Sequence, residues 1–373
     1  MKVNKKNLFH YLYYFGILIA FIFGYLISLF LYKKKRVVCT APKINPNISI
    51  IYQHLKANGF NVLYLSISHS EYKKLRDQDK NTLFVMNPLH WSKIFSSKLI
   101  ISSHTIIFHS FINFFTKIKT ICCGHGIRTA DNKNNVSHFK RTYYKFDEFW
   151  LFSNFERDIY KKLGYSKNNT YVTGYPVTSK LSEFNNKNNF QKNILIAPTS
   201  YEFKSKSNSK FDLDNIQFLK FLDDLANNFQ YKITIKPHWK SKLKKSSISF
   251  IKNQKNLYFV NNDEINNYLE LITSQDLLVT DWSSIYVDFL SLNKPIIFLE
   301  NEMPKTVSKF TEVFDNEIIK RVESYSEFKN QIVEYVFKTD FKNLEEKIFD
   351  NLDKSNIINN IVLRIEKVLN DYK

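Results

Sequence analysis

Short apolar runs alternate with longer helix-like stretches along most of this chain, and this alternation limits the possible folds more than any other feature. Examples of the apolar runs are Asn61–Leu65, Thr82–Met86 and Leu99–Ser103. Such runs, separated by segments of about 10–15 residues with helical periodicity, are typical of βαβ units with parallel strands. The sequence therefore predicts an α/β fold built from doubly wound, Rossmann-like sheets.

The length of 373 residues suits two such domains. An asparagine-rich stretch, 181–192, separates two series of apolar runs, and the second series starts at Asn193. We predict four parts: a membrane anchor with basic flanks over 1–36, an N-terminal Rossmann-like domain over 37–185, a C-terminal Rossmann-like domain over 186–345 and a C-terminal helix over 346–373. Ligands of doubly wound sheets bind at the carboxyl ends of the strands, so we expect the site in a cleft between the domains.

The N-terminal segment Tyr11–Tyr32 has 22 residues and no charged side chain, which is long enough to span a hydrocarbon core of about 30 Å. No small-residue cleavage site follows, so we favour a retained anchor over a cleaved signal peptide. Four basic residues, 33–36, follow the segment, against three lysines before it. The positive-inside rule then predicts a protein at the cell (inner) membrane, single-pass or membrane-associated, with its main body in the cytoplasm.

The chain carries a net charge of +19, and the first 36 residues hold seven of the positive charges and no acid. Excess positive charge suits nucleic acid, an anionic lipid surface or an anionic substrate. No RNP, zinc-finger or basic-helix motif is present, so nucleic acid is not expected as a partner. The three cysteines have no metal-ligand spacing. The inner leaflet of the membrane and an anionic substrate are the expected partners.

Glycine is scarce: only seven occur, and none follows Gly174. This excludes a Walker P-loop and a G-x-G-x-x-G fingerprint, because both need closely spaced glycines. If the protein binds phosphates, side chains and helix N-termini must supply most of the hydrogen-bond donors.

The segment Leu277–Phe289 combines a buried strand with polar residues at its end. The strand runs into Thr280 and Asp281 and then into a serine pair, Ser283 and Ser284. Ser283 is predicted to cap a helix, whose first N–H groups would bind an anion together with the two hydroxyls. The alternative is an ordinary capped helix without a ligand.

Polar residues follow two other strands of the predicted C-terminal domain. Lys236 and His238 come after one strand, and Thr199 comes after another. Because the carboxyl ends of parallel strands meet at one edge of a sheet, we expect these side chains at the mouth of the same cleft. The alternative is a structural histidine and ordinary loop-forming residues.

His125 lies between Gly124 and Gly126, directly after a strand of the predicted N-terminal domain. The flanking glycines allow a tight, open turn with close backbone approach. A histidine in such a turn suits a general base that titrates near neutral pH. The alternative is a histidine on an ordinary surface loop.

In order and spacing, these segments resemble those of the CDP-glycerol glycerophosphotransferases of teichoic acid and capsule synthesis. The corresponding segments are His125-Gly126, Thr173–Pro176, Ala197–Thr199, Lys236–His238 and Leu278–Phe289. The resemblance covers roughly residues 110–300, and the last of these segments is its most specific motif.

The resemblance implies a GT-B fold, with two Rossmann-like domains and the active site between them. It implies metal-independent transfer of glycerol phosphate, or a related polyol phosphate, from a CDP-activated donor to a hydroxyl of a lipid-linked saccharide or cell-surface polymer. CMP is released, CDP-glycerol is a substrate, and no cofactor is expected.

By the same resemblance, His125 is the catalytic residue. The residues implied to bind the donor diphosphate or nucleotide are Thr199, Lys236, His238, Thr280, Ser283 and Ser284. Those implied to line the acceptor side or the cleft are Gly126, Arg128 and Asp281.

Two other functions stay open at the level of the sequence. One is a GT-B glycosyltransferase that uses a nucleotide sugar for surface polysaccharide synthesis, and the other is a catalytically inactive, membrane-anchored scaffold. The sequence leaves open whether the polyol is glycerol or ribitol, and whether one unit or many units are added. The sequence makes no prediction about oligomeric state.

Overall fold

The computed structural model describes residues 8–43, 45–124, 126, 145–162, 169–184, 191–199, 210–238, 241, 243–261, 268–300, 321–335 and 341–371. The strands in these ranges form two parallel sheets, one of seven strands and one of six. This confirms the predicted α/β class with two parallel sheets.

The first sheet has the strand order β3-β2-β1-β4-β5-β6-β7. Its strands are Val37–Ala41 (β1), Val62–Ser66 (β2), Thr82–Phe84 (β3), Leu99–Ser102 (β4), Lys119–Cys122 (β5), Glu148–Leu151 (β6) and Thr170–Val172 (β7). Val38 of β1 enters one apolar core, while Val37 and Cys39 enter another on the opposite face. The sheet is covered on both faces, which is why its strands are continuous apolar runs in the sequence.

The helices of the N-terminal half are Leu8–Ser28 (α1), Pro46–Ala57 (α2), His69–Arg76 (α3), Pro88–Phe95 (α4), His109–Phe115 (α5) and Asn154–Lys162 (α6). Two of them begin at an Asn-Pro pair. Asn45 Oδ1 accepts the N–H of Ile48 at 3.2 Å, and Asn87 Oδ1 accepts that of Leu89 at 2.9 Å. The asparagine satisfies a free N–H of the first turn, and the proline fixes its φ angle.

The second sheet has the order β10-β9-β8-β11-β12-β13. Its strands are Asn193–Ile196 (β8), Lys232–Ile235 (β9), Leu257–Phe259 (β10), Leu277–Thr280 (β11), Ile296–Leu299 (β12) and Arg321–Val322 (β13). The helices of this half are Pro176–Ser182 (α7), Ile216–Phe229 (α8), Lys245–Lys252 (α9), Tyr268–Thr273 (α10), Tyr286–Ser291 (α11) and Tyr325–Tyr335 (α12). The strand order reverses between β8 and β11, and such a reversal opens a crevice at the carboxyl ends of the strands.

The C-terminal tail forms two helices, Lys342–Phe349 (α13) and Ile357–Asn370 (α14), and so the prediction of one helix over 346–373 is wrong. Asp350 and Asn351 adopt φ angles of 49° and 59°, in the left-handed region that ends a helix. Ile361 and Ile365 of α14 share an apolar core with Val37 of the first sheet. The end of the chain therefore returns to the N-terminal half.

The predicted boundary at 185/186 lies outside the described residues. Val177 and Leu181 of α7 belong to the same core as Leu278 and Tyr286 of the second sheet's half. The helix that precedes the predicted boundary thus packs with the C-terminal half.

Helix α1 packs lengthwise on the N-terminal half. Phe21 contacts the rings of Trp91 and Phe95 of α4, each with ring centroids 5.0 Å apart, and the Tyr13 hydroxyl donates to the Ile67 carbonyl. Tyr11–Ser28 is long and apolar enough to cross a membrane, and no other described helix meets that test. The predicted anchor is therefore a helix with one face docked on the protein and one face exposed.

Candidate active site

The carboxyl ends of β8 and β11 are joined through Asp281, at the point where the strand order of the second sheet reverses. Asp281 is fully buried, and its Oδ1 accepts the backbone N–H groups of Thr199 and Trp282, each at 2.7 Å. The fully buried Thr280 hydroxyl donates to the Ala197 carbonyl at 2.7 Å. Both side chains fix the edge of the crevice from inside the protein, so neither hydroxyl nor carboxylate projects into the crevice.

The serine pair forms a tight turn before the helix. Helix α11 begins at Tyr286, and the carbonyls of Ser283 and Ser284 accept the N–H groups of Tyr286 at 3.5 Å and Val287 at 3.1 Å. The prediction that Ser283 caps the helix is therefore wrong, because these i→i+3 bonds tighten the chain and delay the helix start. Both serines are half-buried, and neither hydroxyl bonds to another described residue. Helix α11 has only six residues. An anion at the turn would therefore bind to the serine hydroxyls more than to the helix dipole.

Thr199 places a buried hydroxyl at the same edge. Its backbone N–H is fixed by Asp281, and its Oγ1 has no hydrogen-bond partner among the described residues. A buried polar atom without a partner costs about 1–3 kcal/mol. A ligand atom or a water that bonds to Thr199 Oγ1 would remove that cost.

Lys236 follows β9, next to β8 in the sheet. Its backbone N–H donates to the Ile196 carbonyl at 2.9 Å, which fixes its position at the strand end. Burial lowers the pKa of its ammonium group, and the nearby Asp288 carboxylate acts in the opposite direction. Within the described ranges, the Lys236 ammonium forms no hydrogen bond or ion pair. A half-buried positive charge at this place favours an anionic ligand. His238, two residues on, is half-buried and its carbonyl accepts the N–H of Ser241 at 2.8 Å.

Asp288 of α11 lies near Lys236. Its Oδ2 accepts a hydrogen bond from the hydroxyl of Tyr268 of α10. Burial raises the pKa of Asp288 to about 6, against the effects of the Tyr268 hydrogen bond and of the Lys236 charge. At neutral pH the carboxylate is therefore mostly ionised and supports the positive charge of Lys236. Asp288 is part of the motif Leu278–Phe289, but no role for Tyr268 was predicted, because no local pattern links the two residues.

The N-terminal half meets the serine turn at Gly126. A Cβ atom added to Gly126 would lie 2.6 Å from Ser284 Oγ, so only glycine allows the two segments this separation without a shift. The turn after β5 and the turn after β11 are thus in direct contact across the two halves. His125 and Arg128 lie outside the described residues, and their predicted roles stay predictions.

Arg321 of β13 is a site neighbour that the sequence did not single out. Its guanidinium stacks on the Trp282 ring with 3.4 Å from Cζ to the ring centroid, and its Nη1 donates to the Leu299 carbonyl at 3.3 Å. Burial lowers the pKa of Arg321 to about 10, although Glu300 and Asp281 act in the opposite direction. Arg321 lies 40 residues after Asp281 in the sequence, so only the sheet brings it to Trp282. It adds a second positive charge to the edge that Lys236 occupies.

The sequence signature of the CDP-Glycerol:Poly(glycerophosphate) glycerophosphotransferase family matches residues 24–352. The chain belongs to this family. The match confirms the resemblance drawn from the motifs. The chain is 25% identical over 274 residues to the teichoic acid glycerol-phosphate primase of Bacillus subtilis (strain 168). The matched region covers 64% of this chain and 66% of the relative, just under two thirds of its length.

Solved structures resemble the chain over nearly its whole length. The wall teichoic acid polymerase TagF, in an H444N form with CDPG, matches with a TM-score of 0.68 and 15% identity, covering 96% of both chains. The UDP-GlcNAc 2-epimerase of Neisseria meningitidis matches with a TM-score of 0.58 and 16% identity, covering 89% of this chain and all of that one. At these identities the likeness concerns the fold, and it supports the predicted GT-B arrangement.

Proposed function

We propose that this glycerophosphotransferase transfers glycerol phosphate from CDP-glycerol to a hydroxyl of a lipid-linked saccharide or cell-surface polymer and releases CMP. The single observation that carries the proposal is the edge of the second sheet, where a half-buried Lys236 follows β9, the Thr199 hydroxyl without a described partner follows β8, and the serine turn follows β11. This edge offers positive charge and hydroxyl donors without any glycine loop, which is what a diphosphate needs here. The family membership supports CDP-glycerol as the donor.

The donor is proposed to bind with its diphosphate against this edge. Lys236 supplies a charge from the end of β9, Ser283 and Ser284 supply hydroxyls from the end of β11, and the remaining donors are the Thr199 hydroxyl and His238. Asp281 and Thr280 support them from below by fixing the two strand ends. Pre-positioned donors of this kind stabilise charge on a leaving group more than mobile ones do.

The proposed reaction is an in-line displacement at the β-phosphorus of the donor. The acceptor oxygen forms a new bond to that phosphorus, and the bond between the phosphorus and the bridging oxygen breaks. The acceptor proton passes to His125 as general base, a role typically worth about 10²–10⁴-fold in rate. The electron pair of the broken bond stays on CMP, whose charge Lys236 and the serine hydroxyls neutralise. No step in this scheme requires a metal.

The experiment is a donor panel with extracted lipid acceptor, run in EDTA throughout. Purified protein is incubated separately with CDP-glycerol, CDP-ribitol and UDP-GlcNAc, and the released nucleotide is identified by chromatography. We expect CMP from a CDP-polyol and no UDP. Release of UDP alone would favour the nucleotide-sugar glycosyltransferase, and the absence of any release, together with no donor binding by calorimetry, would favour the inactive scaffold. Activity that appears only when Mg²⁺ replaces EDTA would refute the metal-free scheme.

We further propose that the enzyme works at the inner face of the cell membrane, held there by an apolar face on its N-terminal half. Helix α5 packs beside α1 through ring contacts: the ring centroids of Phe21 and Phe111 lie 6.2 Å apart, and those of Tyr25 and Phe115 lie 5.9 Å apart. The exposed sides of the two helices therefore adjoin each other. Phe114, the neighbour of Phe115, is 82% exposed, and Leu89 of α4 is 59% exposed. A face of this size on one side of the protein favours contact with lipid over solvent.

The docked face of α1 argues for a helix that lies along the membrane surface. To cross the bilayer, α1 would have to leave α4 and expose Trp91 and Phe95, which are buried against Phe21. The hydrogen bonds of Lys33 to the Phe95 carbonyl and of the Lys34 N–H to the Ser96 carbonyl would also break. Binding in the plane of the interface keeps these contacts and still covers the exposed aromatic side chains with lipid.

Replacing Leu89 and Phe114 together with serine is expected to lower partitioning into phosphatidylglycerol vesicles by about 10²–10⁴-fold, because each apolar side chain contributes about 1.5–3 kcal/mol when buried. The matched control replaces Val333 and Leu363, which are 49% and 63% exposed on helices of other faces. The control is expected to bind like the wild type in flotation assays. Equal loss in both double variants, or in neither, would contradict the assignment of this face.

A further inference from the structure

A buried tyrosine–glutamate pair contacts Gly124 and Gly126, the two neighbours of His125 in the sequence. The Tyr175 hydroxyl lies 3.1 Å from Glu156 Oε1, 3.0 Å from Oε2 and 3.4 Å from the Gly126 carbonyl oxygen. Glu156 is fully buried and Tyr175 is 4% exposed. The pair therefore connects α6 and the segment before α7 to the end of β5, three parts of the N-terminal half that are distant in sequence.

The same hydroxyl is in close contact with the first glycine of the turn. Gly124 has a φ of +68°, and a Cβ atom there would lie 2.6 Å from Tyr175 Oη. Tyr175 thus contacts both glycines: it packs closely against Gly124, and its hydroxyl oxygen lies 3.4 Å from the Gly126 carbonyl oxygen. Its one proton is donated to only one acceptor at a time, Glu156 or Gly126. His125 stands between Gly124 and Gly126 in the chain.

Glu156 is fixed in turn by the backbone. Its Oε2 accepts the N–H of Phe152 at 2.7 Å, so the carboxylate bridges the end of β6 and the Tyr175 hydroxyl. The Tyr175 ring packs against Phe152 with centroids 5.2 Å apart. A buried carboxylate is costly unless it is hydrogen-bonded, and a charge-assisted bond from the tyrosine hydroxyl is stronger than a neutral one. This arrangement leaves the tyrosine ring little freedom to move.

We propose that Tyr175 and Glu156 are positioning residues for the turn from Gly124 to Gly126, and through it for His125. This inference rests on the proposed function, in which His125 removes the acceptor proton. Small errors in the position of a general base are costly, because a displacement of about 1 Å can lower a rate by about 10²-fold. The effect should fall mainly on the acceptor half of the reaction, since the donor is proposed to bind at the other sheet.

The test is the Tyr175→Phe variant, which keeps the ring and removes the hydroxyl. We expect kcat for CMP release to fall about 10–100-fold, while the Kd for CDP-glycerol, measured by calorimetry, changes less than about twofold. Amide hydrogen exchange in the peptide 119–126 should accelerate. The Glu156→Gln variant keeps an oxygen that accepts the tyrosine hydrogen bond. Its kcat should therefore fall less than that of Tyr175→Phe.

Tyr52→Phe is the matched control, because the Tyr52 hydroxyl also donates to a carboxylate, that of Asp79 at 2.5 Å, which precedes the edge strand β3 of the same sheet. We expect its kcat and its exchange in 119–126 to equal those of the wild type. An unchanged exchange rate in Tyr175→Phe, or an equal loss of kcat in both variants, would overturn the inference. If the wild type releases no CMP from any donor, the proposed function fails, whereas the exchange measurement still decides whether Tyr175 supports the turn.

Discussion

Replacing Lys236 with methionine is expected to lower kcat/KM for CMP release by about 10²–10³-fold, the usual effect of removing one pre-positioned donor to a developing negative charge. Methionine keeps the length and the apolar stem of the side chain, so the change is confined to the charge. The loss should appear in both donor affinity and kcat, because the ammonium is proposed to bind the diphosphate and to stabilise CMP as it leaves. Calorimetry with CDP-glycerol and a CMP-release assay separate the two effects.

The control for this variant is Lys232→Met, on the same strand, where the lysine side chain is exposed. It should leave the affinity for CDP-glycerol and the rate of CMP release within about twofold of the wild type. A wild-type affinity in Lys236→Met would contradict the proposed donor site, and so would an equal loss in both lysine variants.

The proposed role of Lys236 also predicts the direction in which donor affinity changes with pH. Burial lowers the pKa of Lys236, so its ammonium loses the proton at a lower pH than an exposed lysine does. Affinity for CDP-glycerol should therefore weaken on the alkaline side, as the pH rises through that lowered pKa. In Lys236→Met this alkaline loss should be absent, because the titrating group is gone.

Replacing Asp281 with alanine is expected to lower the free energy of unfolding by about 3 kcal/mol and to abolish measurable donor binding. The substitution leaves two backbone N–H groups, those of Thr199 and Trp282, without their acceptor in a buried place. Each such group costs about 1–3 kcal/mol. Because Asp281 joins the ends of β8 and β11, its loss also releases the edge on which the donor is proposed to lie. Urea unfolding and calorimetry measure the two effects.

The opposite end of the same strand supplies the control. Asp276 Oδ2 accepts the N–H groups of Gln191 at 2.9 Å and Asn193 at 2.8 Å, so Asp276→Ala removes an equivalent pair of bonds away from the crevice. Because Asp276 is half-buried, water replaces part of what is lost, and we expect about 1 kcal/mol of destabilisation and unchanged donor affinity. Asp281→Asn, which keeps the accepting oxygen, should retain most of both properties. Equal effects on donor affinity from Asp276→Ala and Asp281→Ala would contradict the role given to Asp281.

The strands could be predicted from the sequence because most are buried on both faces and therefore contain uninterrupted apolar residues. Leu99–Ser102 and Leu277–Thr280 fall within one residue of their predicted bounds. The parallel arrangement then follows from the helices between them. For the same reason, polar residues directly after these strands, such as Thr199 and Lys236, could be assigned to one edge of one sheet.

Local geometry was less predictable where a tertiary contact competes with a local preference. Ser283 is a good capping residue by type, yet the backbone bonds of the turn start α11 three residues later. The long apolar segment at the N-terminus fits a spanning helix by length, but its burial against Trp91 depends on α4. A single sequence shows that a segment is apolar, but it does not show which neighbouring element packs against that segment.

Polar contacts between residues that are distant in the sequence could not be predicted from the residues around them. Arg321 reaches Trp282, and Glu156 reaches Tyr175, only because the sheets bring their strands and helices together. A glutamate on a helix is ordinarily exposed, so the complete burial of Glu156 could not be inferred from its neighbours in the chain. These are the residues to which the structure adds most, and both contact segments that the motifs had already marked.

The most direct test of the central claim follows the β-phosphorus of the donor. Purified wild-type protein is incubated with lipid acceptor and CDP-glycerol labelled with ³²P at the β-phosphate, and the lipid or polymer fraction is separated from the soluble nucleotides. Transfer of glycerol phosphate predicts that the label moves into the lipid or polymer fraction while unlabelled CMP accumulates in equal amount. Label that stays in solution as CDP, with glycerol alone transferred, would contradict the account.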